Sequence, residues 1–110
     1  PASRQGRRRA MIRVYISANR IEVLGHAPRA DNVPPGQNIV CAAVSALTLT
    51  LIEGLEAVAG VETRTQEESG SVLIEWTESN AISEALVQTW RIGITRIRDS
   101  YENTILLVSA

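Results

Sequence analysis

A single long amphipathic stripe most restricts the fold of this 110-residue chain. From Ile39 onward, apolar residues recur at spacings of three and four over about twenty residues, as they do along one face of an α-helix. The members of the stripe are Val40, Ala43, Val44, Leu47, Leu51, Leu55 and Val58. Gly60 is placed to end the helix as the residue after the C-cap, because glycine adopts a positive φ without steric cost. The remaining elements must therefore cover this stripe.

Short segments with the apolar–polar alternation of β-strands lie on both sides of the helix. The predicted strands are residues 11–18, 21–26, 61–66, 71–77 and 103–110. A turn at Asn19–Arg20 joins the first two strands, and the polar turn at 67–70 joins the next two. Each of these pairs is therefore predicted to be an antiparallel hairpin.

A second helix is predicted after Asn80, because an asparagine side chain accepts a hydrogen bond from the unpaired N–H groups of a first helical turn. Its apolar stripe consists of Ile82, Leu86, Trp90, Gly93 or Ile94, and Ile97. The element order ββαββαβ predicts an α/β two-layer sandwich, with both helices on one face of a five-stranded sheet. A long helical connection favours at least one parallel strand pair, so the sheet should be mixed.

The counts of two residue types exclude several kinds of site. The chain has one cysteine and one histidine, so it forms neither an internal disulfide nor a closed zinc site. We expect no metal and no cofactor, and a reducing, cytoplasmic location. No unbroken apolar run of roughly 18 residues and no secretory-type apolar leader is found, so no membrane helix and no membrane association are expected.

Charge separates residues 1–10 from the rest of the chain. They contain four arginines and no acidic residue, whereas residues 11–110 hold seven arginines and twelve acidic residues. We interpret residues 1–10 as a disordered Arg-rich leader or a vector-derived tail, and residues 11–110 as a single domain. An arm that contacts RNA is the alternative. It is the weaker interpretation, because no aromatic residue accompanies the arginines to stack on bases.

The histidine and the cysteine flank one loop. His26 follows the second predicted strand, and residues 27–37 hold three prolines and no periodic pattern. With Asn38 as N-cap, Cys41 would lie in the first helical turn, where unpaired N–H groups favour a thiolate that His26 could generate. A lone cysteine in an apolar helix is, however, often a small buried hydrophobe, and a lone histidine is often structural. Spacing alone leaves both interpretations open.

A family resemblance rests on two motifs, "GHA" at 25–27 and "GQNIVCAAVSAL" at 36–47. Together with "MIRV" at 11–14, they resemble the ribosomal-processing cysteine proteases of Firmicutes and related bacteria, the Prp or YsxB-like family. The resemblance covers residues 11–110 and implies a homodimeric thiol protease domain with a His–Cys dyad and no cofactor. It further implies that the substrate is a precursor of the twenty-seventh large-subunit ribosomal protein. The N-terminal extension would be removed after tandem aromatic residues, in support of ribosome assembly.

The resemblance assigns roles to individual residues. Cys41 would be the nucleophile and His26 the general base. Ser45, four residues after Cys41 and on the same helix face, matches a serine near the family's site. Backbone amides at the helix start would stabilise the oxyanion. The loop that would gate the peptide includes Ala27, Pro34, Pro35 and Gly36.

Two departures from the family pattern affect the expected activity. The family usually has Asp at the position of Asn38. As an N-cap, Asn replaces Asp with little loss, which predicts reduced rather than abolished activity. If that Asp instead orients the histidine or contacts substrate, loss of its charge would slow the reaction. The loop is also about three residues longer than usual, and its Pro34–Pro35 pair would restrict opening or alter which peptides are accepted.

Two other functions compete with the protease. The first is a non-catalytic ribosome- or RNA-binding protein of the same fold that uses the arginine leader. The second is a thiol redox sensor, which is disfavoured because the chain has no second cysteine to resolve an oxidised Cys41.

Overall fold

The computed structural model describes residues 11–25, 35–68 and 70–110, with α1 side chains from Ile39 onward. Within these ranges the elements follow the predicted order ββαββαβ. The strands are β1 (Ile12–Ser17), β2 (Arg20–Leu24), β3 (Thr63–Glu68), β4 (Ser71–Trp76) and β5 (Ile105–Ser109). The helices are α1 (Pro35–Ala57) and α2 (Ala81–Ser100). The predicted leader at 1–10 lies outside the described residues.

The five described strands form one mixed sheet in the order β3-β4-β2-β1-β5. β1 and β5 pair in parallel, whereas the other neighbours are antiparallel. The mixed sheet is therefore confirmed. The first hairpin turns one residue earlier than predicted, because Asn19 takes a φ of 56° and Arg20 already pairs with Ser17. Asparagine tolerates this left-handed conformation better than most residues.

One face of the sheet carries the core. Val14 pairs with Val23, and Ile21 pairs with Ile74, and all four side chains are buried. The helices complete this core with Val40, Val44, Leu51 and Leu55 from α1 and Trp90 and Ile94 from α2. The two-layer arrangement thus follows from strands that are apolar on one face and helices that are apolar along one stripe.

The ends of the two helical stripes differ from the prediction. Val58 is 63% exposed because α1 already ends at Ala57, and Ile82 is 48% exposed in the first turn of α2. Gly60 has the expected positive φ of 67° and lies just beyond the helix. Asn80 is confirmed as the N-cap of α2, since its side chain accepts from the Ser83 N–H at 2.8 Å in a capping box.

The start of α1 corrects two predictions. α1 begins at Pro35, so Asn38 lies inside the helix and is not its N-cap. Proline suits a first helical position because its missing N–H would be unpaired there in any case. Pro35 and Gly36, assigned to the gating loop, are consequently the first two helical residues. Cys41 is the seventh, which places it in the second turn rather than the first.

α1 is unusually apolar on both sides. By length and composition, Ile39–Ala57 passes as one candidate membrane span among the described residues, although 28% of it is buried. The sequence predicted no membrane helix because it has no unbroken apolar run of sufficient length, and Ile39–Ala57 is interrupted by polar residues. Helices in a protein core can have the same length and composition, and Val44, Leu51 and Leu55 of α1 belong to the buried core. The outward side still exposes Ile39 and Leu49.

Candidate active site

A groove with a volume of about 210 Å³ lies between α1 and the sheet, where β2 ends and β4 begins. We call it the Cys41 groove. α1 lines it with Cys41, Val44, Ser45, Thr48 and Leu49. The strands and their ends line it with Ile12, Val23, Gly25, Glu67, Glu68 and Val72. The floor of the groove is therefore mainly apolar, and the carboxylates of Glu67 and Glu68 lie on its β3 side.

Helical register places Cys41 and Ser45 in the same wall of the groove. Residues four apart on an α-helix are neighbours on its surface, and both side chains are half-buried. Val40, one residue before Cys41, and Val44, three residues after it, are 1% and 2% exposed in the core. The thiol therefore sits on a stretch of helix that is fixed by packing, with one side turned toward the groove.

Gly25 forms the sheet side of the groove directly after β2. Its φ is 83°, and a Cβ at this position would lie 3.0 Å from the Met11 carbonyl oxygen. Its N–H donates to the Gly70 carbonyl at 2.8 Å. Only glycine fits this combination of left-handed backbone and close approach. Sequence reasoning noted Gly25 merely as the first letter of "GHA" and missed its structural role.

The other predicted site residues are described in part or not at all. His26, Ala27 and Pro34 lie outside the described residues. For Pro35, Gly36 and Asn38, the structure gives the helical backbone alone. Of the predicted side chains, the described part of the chain therefore brings together Cys41 and Ser45.

Thr48 is a groove residue that sequence reasoning missed. It is 2% exposed, and the Trp90 indole N–H of α2 donates to its hydroxyl oxygen at 3.2 Å. The available signal was a hydroxyl four residues after Val44 and three before Leu51, both of which belong to the apolar stripe of α1. Trp90 was predicted only as an apolar packing residue, and its N–H needed a partner once buried.

A half-buried thiol in the wall of an open groove can reach the carbonyl of a bound peptide. Such a thiol acts as a nucleophile in its thiolate form and needs a base to generate that form. Among the described residues, no group of three or more His, Cys, Asp or Glu side chains is arranged to hold a metal ion. A larger depression of about 530 Å³ lies at the opposite strand ends, around the β1–β2 turn, and Cys41 does not line it.

Comparison with solved structures relates this fold to peptide-bound proteases. The essential ribosomal processing protease Prp from S. aureus, with a covalently linked product peptide, has a TM-score of 0.77 and 23% identity. With a substrate peptide, that protease gives a TM-score of 0.79 and 22% identity. Each match covers 91% of this chain and 100% of the other.

A third solved structure is similar to the same extent. SMU.848 from Streptococcus mutans has a TM-score of 0.80 and 25% identity, and the match covers 90% of this chain and 96% of that one. No curated protein sequence matches the chain. The model of the family described as cysteine protease Prp matches residues 11–106, which include all the residues that line the Cys41 groove. The chain therefore belongs to the cysteine protease Prp family.

Proposed function

We propose that this chain is a cysteine endopeptidase that removes the N-terminal extension of a large-subunit ribosomal protein, the twenty-seventh in the standard naming. Cys41 is the nucleophile and His26 the general base. The observation that carries the proposal is the position of Cys41, in the wall of a groove whose sheet side ends at Gly25. The similar S. aureus protease, which is described as ribosomal processing and peptide-bound, supports the substrate class.

Chain connectivity supports the pairing of His26 with Cys41. Gly25 lines the Cys41 groove, and His26 is the next residue along the chain. Consecutive Cα atoms are about 3.8 Å apart, so the covalent chain places His26 directly after a residue that lines the groove. Imidazole titrates near neutral pH and can therefore take the thiol proton and return it to the leaving amine.

The position of Cys41 in the second turn increases the importance of this base. The field of a helix N-terminus falls off within the first turn, and Cys41 is the seventh residue of α1. Thiolate formation therefore depends mainly on His26. Ser45, in the same wall as Cys41, is the side-chain donor that we assign to the developing oxyanion.

Asn38 needs a role other than capping. It lies three positions before Cys41 in α1, and residues three apart in a helix are neighbours. We assign it to orienting the His26 imidazole, which its carboxamide can do by hydrogen bonding but without the charge of the family's usual Asp. This assignment predicts a slower enzyme, because a carboxylate would also stabilise the imidazolium.

The proposed reaction has two steps. The Cys41 thiolate attacks the scissile carbonyl, and the tetrahedral intermediate collapses to a thioester as His26 protonates the leaving amine. Water, deprotonated by His26, then attacks the thioester and releases the carboxylate product together with the Cys41 thiol. Neither step requires a metal or an organic cofactor. Residues 27–34 are proposed as the gating segment that admits the peptide.

Mass spectrometry after incubation with the extended ribosomal protein tests this function. The intact chain should shorten the precursor at one site, and Cys41→Ala should leave the precursor uncut while keeping the folded spectrum of the parent. Ala43→Ser, a substitution of similar size two positions away in α1, is the matched control and should cleave normally. Cleavage by Cys41→Ala at the parent rate would refute the assignment.

We further propose that the protein is a cytoplasmic homodimer. The outward side of α1 supports this, because Ile39 and Leu49 are 53% and 48% exposed, with exposed Ala42 and Ala46 between them. No charged residue occurs from Pro35 to Ile52. An uncharged apolar stripe can pair with its own copy about a two-fold axis and bury both surfaces.

RNA contact by the leader is a separate proposal that four arginines within residues 1–10 support. Phosphate contacts through arginine weaken as salt rises. Deletion of residues 1–10 should remove salt-dependent RNA binding and leave precursor cleavage unchanged. If the deletion abolished cleavage as well, the leader would be part of the protease rather than a separate arm.

A further inference from the structure

Charge is unevenly distributed over the described residues. Residues 85–98 of α2 contain three arginines and no acidic residue, whereas the other described residues contain three arginines and eleven acidic residues. The three arginines of α2 are Arg91, Arg96 and Arg98. They form a basic surface on an otherwise acidic domain, and we call it the α2 arginine surface.

An open depression of about 550 Å³ marks this surface on the outside of α2. Its lining consists of Gln88, Arg91, Ile92, Thr95, Arg96 and Asp99. Residues three and four apart on a helix are neighbours, so the uncharged Gln88 and Thr95 lie beside Arg91. Arginine, glutamine and threonine side chains all bind phosphate oxygens in nucleic-acid complexes. The depression therefore presents the side chains that a phosphate backbone requires.

The fold itself accounts for Arg98 but not for the other two arginines. The Arg98 Nε lies 3.2 Å from the Asp99 carboxylate, and a cation in the last turn also stabilises the helix dipole. Arg91 lies in the middle of α2, and the residues three and four positions away from it on both sides are uncharged. Among the described residues, neither Arg91 nor Arg96 forms an ion pair. Their guanidinium groups can therefore bind an anion outside the fold.

Two hydrogen bonds place the start of β1 beside the end of α2. The Ile12 N–H donates to the Thr104 carbonyl at 2.8 Å. The Thr104 hydroxyl in turn donates at 2.5 Å to the carbonyl of Tyr101, the C-cap residue of α2. Ile12 is the first residue of β1, and the leader at residues 1–10 precedes it along the chain. The four arginines of the leader are therefore joined to the fold beside the half of α2 that carries the α2 arginine surface.

We propose that the α2 arginine surface binds RNA phosphates together with the leader. An RNA strand held by the leader continues over α2, where the planar guanidinium groups of Arg91 and Arg96 each bind a phosphate through paired N–H donors. The acidic remainder of the domain repels phosphate. Two linked contacts with one strand reinforce each other, whereas either contact alone is weak.

RNA fits this surface better than an acidic protein does. The proposed substrate is a ribosomal protein, and ribosomal proteins function bound to RNA. The inference thus rests on the proposed function and on the proposed RNA contact of the leader, and it adds a binding element within the folded domain. Ile12 also lines the Cys41 groove, so the RNA would lie at the end of the sheet where the proposed substrate binds.

Binding of the full chain to a fluorescein-labelled oligouridylate, measured by anisotropy over a range of salt concentrations, tests this inference. Each phosphate contact with a single strand contributes about 0.7 to the slope of log affinity against log salt. Arg91→Gln/Arg96→Gln should therefore reduce the slope by about 1.4 and weaken binding most at low salt. Glutamine and arginine have similar helix propensities, so the double variant should keep the parent's unfolding midpoint in urea.

Arg20→Gln/Arg64→Gln is the matched control, because it removes the same charge from the depression around the β1–β2 turn. The control should keep the slope of the parent. The inference is overturned if the parent does not bind the RNA, if Arg91→Gln/Arg96→Gln keeps the parent's slope, or if both double variants reduce it equally. It is also overturned if Arg91→Gln/Arg96→Gln loses affinity for polyglutamate and not for RNA, which would assign the surface to an acidic protein.

Two further measurements separate this inference from the proposals on which it rests. If deletion of residues 1–10 leaves the slope unchanged and Arg91→Gln/Arg96→Gln reduces it, the leader contact fails and the α2 arginine surface stands as an RNA site. If the parent binds RNA through Arg91 and Arg96 but leaves the ribosomal precursor uncut, the protease function fails and the RNA site stands.

Discussion

The backbone N–H of Gly25 donates to the Gly70 carbonyl oxygen at 2.8 Å, which ties the end of β2 to the turn before β4. Both glycines have positive φ, 83° and 88°. This contact fixes the point where the chain leaves the sheet toward His26, and Gly25 itself lines the Cys41 groove. The backbone of Gly25 thus fixes both the end of β2 and the sheet side of the groove.

Gly25→Ala should therefore reduce both stability and cleavage. The new Cβ would lie 3.0 Å from the Met11 carbonyl and would occupy a left-handed backbone. We expect a loss of about 1–3 kcal/mol in the free energy of unfolding, measured in urea. Gly60→Ala is the matched control, since Gly60 also has positive φ but has no atom within 4 Å of the added Cβ. It should be destabilised less and should cleave normally.

Asn38→Asp should speed the enzyme. A carboxylate beside the proposed base stabilises the imidazolium, and the imidazolium in turn stabilises the Cys41 thiolate. The pH profile of Cys41 alkylation by iodoacetamide should move to lower pH and kcat/KM should rise. His26→Ala should move the profile to higher pH and suppress cleavage. An unchanged profile in both variants would remove His26 and Asn38 from the site.

Asn80→Ala should destabilise the fold and leave the chemistry intact. The substitution removes the acceptor of the Ser83 N–H in the capping box and the bond that the Asn80 amide donates to the Ala59 carbonyl at 2.9 Å. A cost of about 0.5–2 kcal/mol in the free energy of unfolding is expected for the lost cap. Because Asn80 does not line the Cys41 groove, kcat/KM at 25 °C should equal that of the parent protein. A drop in kcat/KM without a loss of stability would contradict this separation.

Leu49→Arg should dissociate the proposed dimer. Leu49 is 48% exposed on the outward side of α1, and a buried unpaired charge at a two-fold contact would be doubled by symmetry. Sedimentation velocity should show the monomer. Val108→Arg is the matched control, because Val108 is 40% exposed on the opposite face of the sheet. If Val108→Arg gives the monomer and Leu49→Arg does not, the open sheet face is the interface instead.

The element order could be predicted from the sequence because every inner strand is apolar on one side and both helices carry an apolar stripe at spacings of three and four. The predicted ends of the elements were less accurate where a buried apolar residue lies outside a helix or strand. Val61 is 6% exposed and was assigned to the third strand, but it packs in the connection after α1, and β3 begins at Thr63. The residues of β3 itself are mostly exposed, so they provide no apolar alternation to predict from.

The candidate site was predictable to the extent that it depends on local spacing. Cys41 and Ser45 share a wall because they are four apart in one helix. The start of that helix was not predictable, since proline followed by glycine is as typical of a loop as of a first turn. The contact between Thr48 and Trp90 joins residues 42 apart, and only the packing of α1 on α2 brings them together.

The residues that form and support the Cys41 groove are synthesised in a defined order along the chain. Its lining runs from Ile12 to Val72, and the tryptophan that holds Thr48 follows at position 90. During synthesis, Cys41, the proposed nucleophile, emerges well before the β4 strand and the helix that complete its surroundings. A chain interrupted before α2 therefore carries the thiol without a finished binding groove. The proposed activity therefore depends on α2, although no residue of α2 lines the groove.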